Sequence, residues 1–305
     1  MPIHLPPTSR RSFLHGLAVG GASTALPRLR ASSFDAPAPY VALLADTHID
    51  ADPGKFVHNG AHNMSNNLRA AVGDILAQPT PPEAVAIVGD LALKNGQPGD
   101  YAQLLKLLAP LRERGIPIHL TLGNHDDRGP IREALKAQAD PAVEGRFATV
   151  VDAAGARLVL LDSLDKVDEV DGVLGEAQRG WLAKTLDAKP DVPTVVLMHH
   201  HPSPTEGPRP GALQDTAALF DILRPRKQVK ALVFGHTHVW RLDERDGVRL
   251  VNLPAVAYHF DARQPLGWCR LEPARDGSGA TIELRCVGGD RTKDRERDEL
   301  SWRGA

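Results

Sequence analysis

The sequence predicts a single α/β domain with a strand-rich C-terminal part. Three observations carry this. Short apolar runs of strand character alternate with segments of helical periodicity from Val41 to Phe234. After Phe234 only strand-like runs follow. The composition, 42% hydrophobic and 24% charged, is that of an ordinary globular chain, and 305 residues are enough to bury a large core.

The elements follow in order. Val41–Leu44 is an uninterrupted apolar run that fits a buried strand. A loop with Pro53, Gly54 and Gly60 leads to Asn63–Gln78, where Leu68, Val72, Ile75 and Leu76 recur at helical spacing. Ala84–Val88 is the next strand, and Asp100–Arg114 is a helix with Leu104, Leu105, Leu108 and Leu111 on one side, stopped by Gly115. Ile118–Leu122 is a third strand, followed by a helix near Pro130–Ala137. Phe147–Val151 and Arg157–Leu161 read as a hairpin, Glu176–Leu186 as a helix, Thr194–Met198 as a strand, Gln214–Leu223 as a helix and Ala231–Phe234 as a strand. Val248–Leu253, Leu266–Leu271 and Thr281–Val287 are the late strands, and residues 290–305 read as a charged, solvated tail.

Charge and cysteine content narrow the function classes. Lys plus Arg is 36 against 38 Asp plus Glu, a formal charge of −2, so bulk attraction to a nucleic-acid polymer is not expected. No apolar run after the N-terminus is long enough for a transmembrane domain. Two Cys exclude a disulfide scaffold and a thiolate zinc site. Cys269 and Cys286 lie on neighbouring strand-like runs, where a disulfide and two buried thiols are both open. Phosphate-loop and dinucleotide fingerprints are absent, and no Gly-x-Ser-x-Gly elbow surrounds Ser163.

Residues 1–35 read as an address. Ser9-Arg10-Arg11-Ser12-Phe13-Leu14 resembles a twin-arginine signal, and a mildly apolar Gly16–Leu26 stretch follows, with small residues from Ala31 to Ala36 for cleavage. The expected partner is the twin-arginine export machinery, and the expected location periplasmic or secreted. Residues 36–289 are left as the folded domain.

Five apolar strands end in polar residues able to bind metal. The ends are Asp46-Thr47-His48, Gly89-Asp90, Gly123-Asn124-His125-Asp126, His199-His200-His201-Pro202 and Gly235-His236-Thr237-His238. In open α/β sheets, sites form outside the carboxyl ends of strands, so five strand ends can converge on one crevice. Each end supplies Asp, Asn or His, and oxygen and imidazole ligands suit Zn, Fe, Mn or Co. In an extended backbone the x-spaced pairs Asp46/His48 and His236/His238 point to one side, so one short segment can donate two ligands.

In this order, these residues resemble the calcineurin-like metallophosphoesterase superfamily. The match runs from about Val41 to Tyr258, with closest likeness to the class III cyclic-nucleotide phosphodiesterase and glycerophosphodiesterase branch. The resemblance implies a four-layer α/β/β/α sandwich with two mixed β-sheets and two divalent metal ions as cofactors. One ion would take Asp46, His48 and His238, the other Asn124, His200 and His236, with Asp90 bridging them. Among the three adjacent His, the family ligand stands two residues before Pro, which selects His200 and leaves His199 and His201 to packing or support.

The implied chemistry follows from charge. A phosphodiester anion repels hydroxide, whereas two cations bind its oxygens and lower the pKa of a bound water. The expected reaction is in-line attack of a metal-bound hydroxide on a small-molecule phosphate ester, with a diester the expected substrate. His125 is the expected catalytic group, stabilising charge or protonating the leaving oxygen. Tyr258 and His259 are weaker substrate-binding candidates, and His58 and His62 read as surface-loop residues. Alternatives are a phosphomonoesterase on the same metals and a non-catalytic scaffold, like the retromer subunit that shares this family's fold.

Overall fold

The computed structural model describes residues 4–5, 38–136, 142–205 and 207–304. The segments read as an export signal, Ser9–Leu14, Gly16–Leu26 and Ala31–Ala36, lie outside the described residues. In chain order the elements are β1 (His4–Leu5), β2 (Val41–Ala45), α1 (Met64–Leu76), β3 (Ala84–Val88), α2 (Pro98–Glu113), β4 (Ile118–Thr121) and α3 (Arg128–Leu135). The second half begins with β5 (Thr149–Ala153), β6 (Ala156–Leu160), α4 (Glu176–Asp187), β7 (Thr194–Leu197), α5 (Thr216–Leu223) and β8 (Val229–Phe234). It ends with β9 (Arg241–Arg245), β10 (Val248–Asn252), β11 (Pro265–Pro273), β12 (Gly279–Gly289) and β13 (Arg297–Ser301).

Two mixed sheets result. The first runs β1-β4-β3-β2-β11-β12-β13 and the second β5-β6-β7-β8-β10-β9. β2, β3 and β4 are mutually parallel, as are β6, β7, β8 and β10, while the outer strands turn antiparallel. β2 and β3 read as unbroken apolar runs because both of their faces are covered. Val41, Leu43, Ala45, Ala86 and Val88 meet Leu158, Leu160, Val195, Leu197 and Val233 between the sheets. On the outer face of the first sheet, Ala42 and Leu44 pack with Leu68, Ile75, Leu104, Leu108 and Ile131 of α1–α3. Leu182 and Leu186 of α4 and Leu219 and Phe220 of α5 cover the second sheet. This is the four-layer α/β/β/α sandwich.

Local signals explain the element ends. The Asn63 side chain accepts a 2.8 Å bond from Asn66 N–H and caps α1, and Asp127 caps α3 through Gly129 N–H. Asp100 accepts from Gln97 N–H at the start of α2 and from Ala51 N–H, tying that helix to the loop after His48.

Three expectations need correction. The hairpin is shifted by two residues at its first strand because Ala154-Gly155, both at positive φ, form its two-residue turn. β9 went unpredicted because Arg-Leu-Asp-Glu-Arg lacks an apolar run; the Asp246-Gly247 turn, with φ of 54° and 75°, folds it onto β10. The charged tail is not solvated throughout. β13 pairs with β12, Leu300 and Trp302 enter the core between the sheets, and Arg297 pairs with Glu272 and Glu283. Arg297 and Glu299 sit on the face away from that core, so charge content masked a strand of period two. Cys269 and Cys286 are both buried free thiols facing the same core.

Leu300→Ala is expected to cost about 2–3 kcal/mol in urea unfolding, the usual loss for a buried leucine. The neighbouring exposed Glu299→Ala should cost under about 0.5 kcal/mol. Equal, small effects would return residues 297–302 to a solvated tail.

Candidate metal centre

All five polar strand ends lie at one end of the two sheets. The first sheet brings Asp46 and His48 after β2, Asp90 after β3, and Asn124 and His125 after β4. The second brings His199, His200 and His201 after β7, and His236 and His238 after β8. Carboxylates and the amide come from one sheet, and most of the imidazoles from the other. Four groups of three each hold ligand atoms within 4.8 Å of one another: Asp46/His48/His238, His199/His200/His236, Asp46/Asp90/His199 and His48/Asp90/His125.

The backbone is bent to make these groups meet. Asp46, His48, Asp90, His236 and His238 all adopt left-handed φ, between 44° and 70°. Such conformations cost on the order of 1 kcal/mol or more for each non-glycine residue and concentrate at functional sites. Hydrogen bonds hold them: His236 N–H donates to both Asp46 oxygens at 3.0 and 3.1 Å, and His125 N–H donates to Asp90 Oδ1 at 2.9 Å. Asp126 lies just beneath, accepting from the N–H groups of Leu91, Ala92 and Gly123 and from Tyr101. Burial, reinforced by the charge on Asp90, raises its pKa to about 7. Its oxygens serve the loops, not the crevice.

Ring orientation is set from behind. A carbonyl oxygen can only accept, so His238 donates Nδ1–H to Tyr258 O at 2.6 Å and aims Nε2 inward. His199 donates Nδ1–H to Val88 O at 3.0 Å and aims Nε2 at Asp90 Oδ2, 3.2 Å away. This is the arrangement by which supporting carbonyls fix metal-binding imidazoles. His200 Nδ1 lies 2.8 Å from Ser163 Oγ. His48 Nε2 faces His238 Nε2 at 3.2 Å, and His199 Nε2 faces His236 Nδ1 at 3.1 Å. Nitrogens converging in this way need a proton or a cation between them.

The donor set fits divalent cations. Asn124 Oδ1 and His200 Nε2 are buried without a protein partner, which is costly for exposed lone pairs unless an ion or donor meets them. Burial keeps the imidazoles neutral, as ligation requires: it lowers His236 to about 3, His238 to about 4, and His48 and His200 well below the usual range. Burial raises Asp46 to about 7. Burial opposes charge on His199 as well, yet Asp90 and Asp46 beside it raise the imidazole to about 9. Two carboxylates in this crevice demand positive charge, which His199 alone meets in part.

The structure places the residues anticipated from sequence as follows. Asp46, His48, Asp90, Asn124, His200, His236 and His238 all reach the crevice. His199, read as packing or support, is there too, in contact range of both Asp46 and Asp90. β7 ends at Leu197, so residues 198–201 are no longer extended strand, and His199 and His200 both turn toward the crevice. His201 stacks beside His236, with ring centroids 5.8 Å apart. Tyr258 is 8% exposed and packs its ring against His48 and His238, serving them more than any outside molecule. His259 lies at the rim against His62, 4.8 Å between rings.

His125 stands at the edge of the crevice, its ring 5.3 Å from that of His48. Its Nδ1 lies 2.7 Å from Lys94 O and 3.1 Å from Asp168 Oδ1, so Nδ1 carries the proton and Nε2 is left for other work. Asp168 was missed in the sequence. It arrives from a loop held by a 2.7 Å bond from Asp168 N–H to Asn124 O, a tertiary contact with no motif around it.

Comparison with known proteins agrees with this geometry. The family model for calcineurin-like phosphoesterases matches residues 39–240. The chain belongs to this family. A 3′,5′-cyclic adenosine monophosphate phosphodiesterase of Pseudomonas aeruginosa is 28% identical over 71% of this chain and 76% of that protein. A cAMP/cGMP dual specificity phosphodiesterase of Mycobacterium tuberculosis is 28% identical over 82% of this chain and 77% of its own. In fold, a dimetal phosphatase from Danio rerio superposes with a TM-score of 0.67 at 16% identity, covering 88% of this chain and all of that one. The chain is a metal-dependent phosphoester hydrolase with a binuclear divalent-metal site.

The two sheets approach too closely at this site for even a methyl group. A Cβ on Gly123 would collide with Asp90 Oδ1 and Asp90 N, and would lie 2.7 Å from His199. Gly123→Ala is therefore expected to lower metal affinity at least tenfold while leaving far-UV dichroism unchanged. Metal content after equilibrium dialysis is the measurement, and wild-type content would refute the crowding argument.

Proposed function

We propose that this protein is a phosphodiesterase and that Asp46, His48 and His238 hold one ion while Asn124, His200 and His236 hold the other, with Asp90 between them. The observation that carries the reading is the chain of overlapping ligand groups, Asp46/His48/His238 and His199/His200/His236, linked through Asp46/Asp90/His199, with His125 beside Asp90 and His48. Two divalent cations there would supply a nucleophilic hydroxide near neutral pH and neutralise the phosphoryl oxygens.

The chain's own residues do the rest in this reading. Asp90 offsets part of the paired positive charge. Tyr258 O keeps the second nitrogen of His238 protonated, so its inward nitrogen would face a cation. His199 holds Asp90 in place from the side of the second sheet. His125, oriented through Nδ1–H by Lys94 O and Asp168, turns Nε2 toward the crevice, where the doubly protonated ring would give its Nε2 proton to the leaving oxygen.

Relatives named as cyclic-nucleotide phosphodiesterases support a diester over a monoester. The fold does not decide catalysis, since GAP50, an anchor in the inner membrane complex of Plasmodium, superposes with a TM-score of 0.56 at 13% identity. Retention of all seven ligand positions favours the enzyme over a scaffold. The Arg10-Arg11 segment supports export to the periplasm or beyond through the twin-arginine machinery. No helix among the described residues is long and apolar enough to cross a membrane.

Protein stripped of metal and reconstituted separately with Mn, Fe, Zn or Co is expected to hydrolyse bis(p-nitrophenyl) phosphate faster than p-nitrophenyl phosphate. Exhaustive chelation should abolish turnover. Asp90→Asn should lower kcat/KM by at least about 100-fold, roughly 2.7 kcal/mol of transition-state stabilisation. Full activity of that variant, or of the chelated protein, would defeat the two-metal reading. For export, fractionation of cells should find the chain outside the cytoplasm, and Arg10→Lys with Arg11→Lys should retain it inside.

A further inference from the structure

One exposed apolar side chain, Phe260, stands directly on the metal centre, against the ring of His238. Among the described residues the exposed large hydrophobic side chains are Phe56, Val167, Val170 and Phe260. Val167 and Val170 bracket Asp168, which touches His125. Phe56 opens the loop that carries His58 and His62, and Phe260 follows Tyr258 and His259. Single exposed apolar residues scattered over a surface mean little, whereas a group at one crevice marks a binding surface.

One side of this rim is built from rings. Phe260 lies over His238, with 4.6 Å between ring centroids, yet remains 69% exposed. It stands nearly perpendicular to Tyr258, at 5.6 Å and 77°, and to His58, at 6.0 Å and 89°. His58 rests 4.5 Å from Tyr258. The loop under it closes through Val57 N–H to His62 O at 2.9 Å, with His58, Asn59 and Gly60 all at positive φ. That turn is what lifts His58 against Tyr258.

We propose that Phe260 and His58 form a corner in which a flat heteroaromatic ring of the phosphoester stacks, making them specificity-determining residues. The inference rests on the reading that the neighbouring site binds phosphate esters. A flat ring fits because every π-face can stack on Phe260, while the nitrogens of His58, His62 and His259 can meet the polar edge of a heterocycle. A hydrocarbon tail or a second copy of the chain pressed onto the rim would instead bury those imidazole nitrogens unpaired. The distance from ring to phosphate is short, since Phe260 touches the ring of His238 itself.

The test is calorimetric binding of adenosine 5′-monophosphate and ribose 5-phosphate to the metal-loaded full chain. The wild type is expected to bind the base-bearing ester at least tenfold more tightly, the scale of one stacking contact. Phe260→Ala should bring that preference to within twofold while leaving ribose 5-phosphate binding unchanged, His58→Ala should reduce it severalfold, and Phe260→Tyr should retain it. An equal affinity of the wild type for the two esters would overturn the proposal, as would parallel weakening of both in Phe260→Ala. A dimer in sedimentation that Phe260→Ala dissolves would also overturn it, by making the rim a self-interface. Base preference without hydrolysis of any diester would remove the phosphodiesterase reading and leave the stacking corner standing.

Discussion

Two sheets converge at their carboxyl-terminal ends with no spare room, and everything at the metal centre depends on that approach. Gly123 and Gly235 mark it. A side chain at Gly235 would strike Asp46, and one at Gly123 would strike Asp90 and His199. The small side chains Ala45 and Ala86 continue the close contact into the core between the sheets. A hydrogen bond then crosses the gap, from His236 N–H to Asp46, while Gly235 N–H to His199 O ties the two strand ends of the second sheet together. A separation larger by the width of a methyl group would part the carboxylates from the imidazoles.

That closeness also concentrates unfavourable terms. Asp46 and Asp90 are buried together, five ligand candidates hold left-handed backbone, and neutral imidazoles point nitrogens at one another. Each term is costly in a bare protein, and each is relieved when positive charge sits among the groups. The surrounding fold over-determines the arrangement: the strands before these bends are fully buried, carbonyls hold the rings of His125, His199 and His238, and N–H groups hold Asp46 and Asp90. Metal affinity is thus bought with folding energy stored elsewhere in the sandwich.

The division of labour between sheets has a functional consequence. Oxygen ligands from the first sheet and nitrogen ligands from the second give mixed donors that suit several divalent ions. His125 rides on the first sheet beside Asn124, but its orientation comes from Lys94 and from Asp168 on a loop of the second half. The rim of rings comes from yet another pair of loops, after β2 and after β10. In the proposed reading, attachment of phosphate, proton transfer and recognition of the ester group would fall on separate segments, so each could vary without moving the candidate metal ligands.

Much of this protein is readable from its sequence for a plain reason. Strands buried on both faces are mostly apolar runs, and five of them here stop at turns bearing candidate ligands, so the α/β class and the seven candidate ligand positions are local features. β9 and β13 escaped notice because their charged outward faces hide the period of two, and only pairing with β10 and β12 makes them strands. His199 was readable only as packing or support, because its contacts with Asp90 and Asp46 are made where the backbone has left β7. Asp168 and the corner of Phe260 and His58 have no local signature at all: they are neighbours of the site solely through chain packing. The sequence determined which chemistry the strand ends carry; the tertiary structure decided which groups orient it and what surrounds it, because those contacts join residues far apart along the chain.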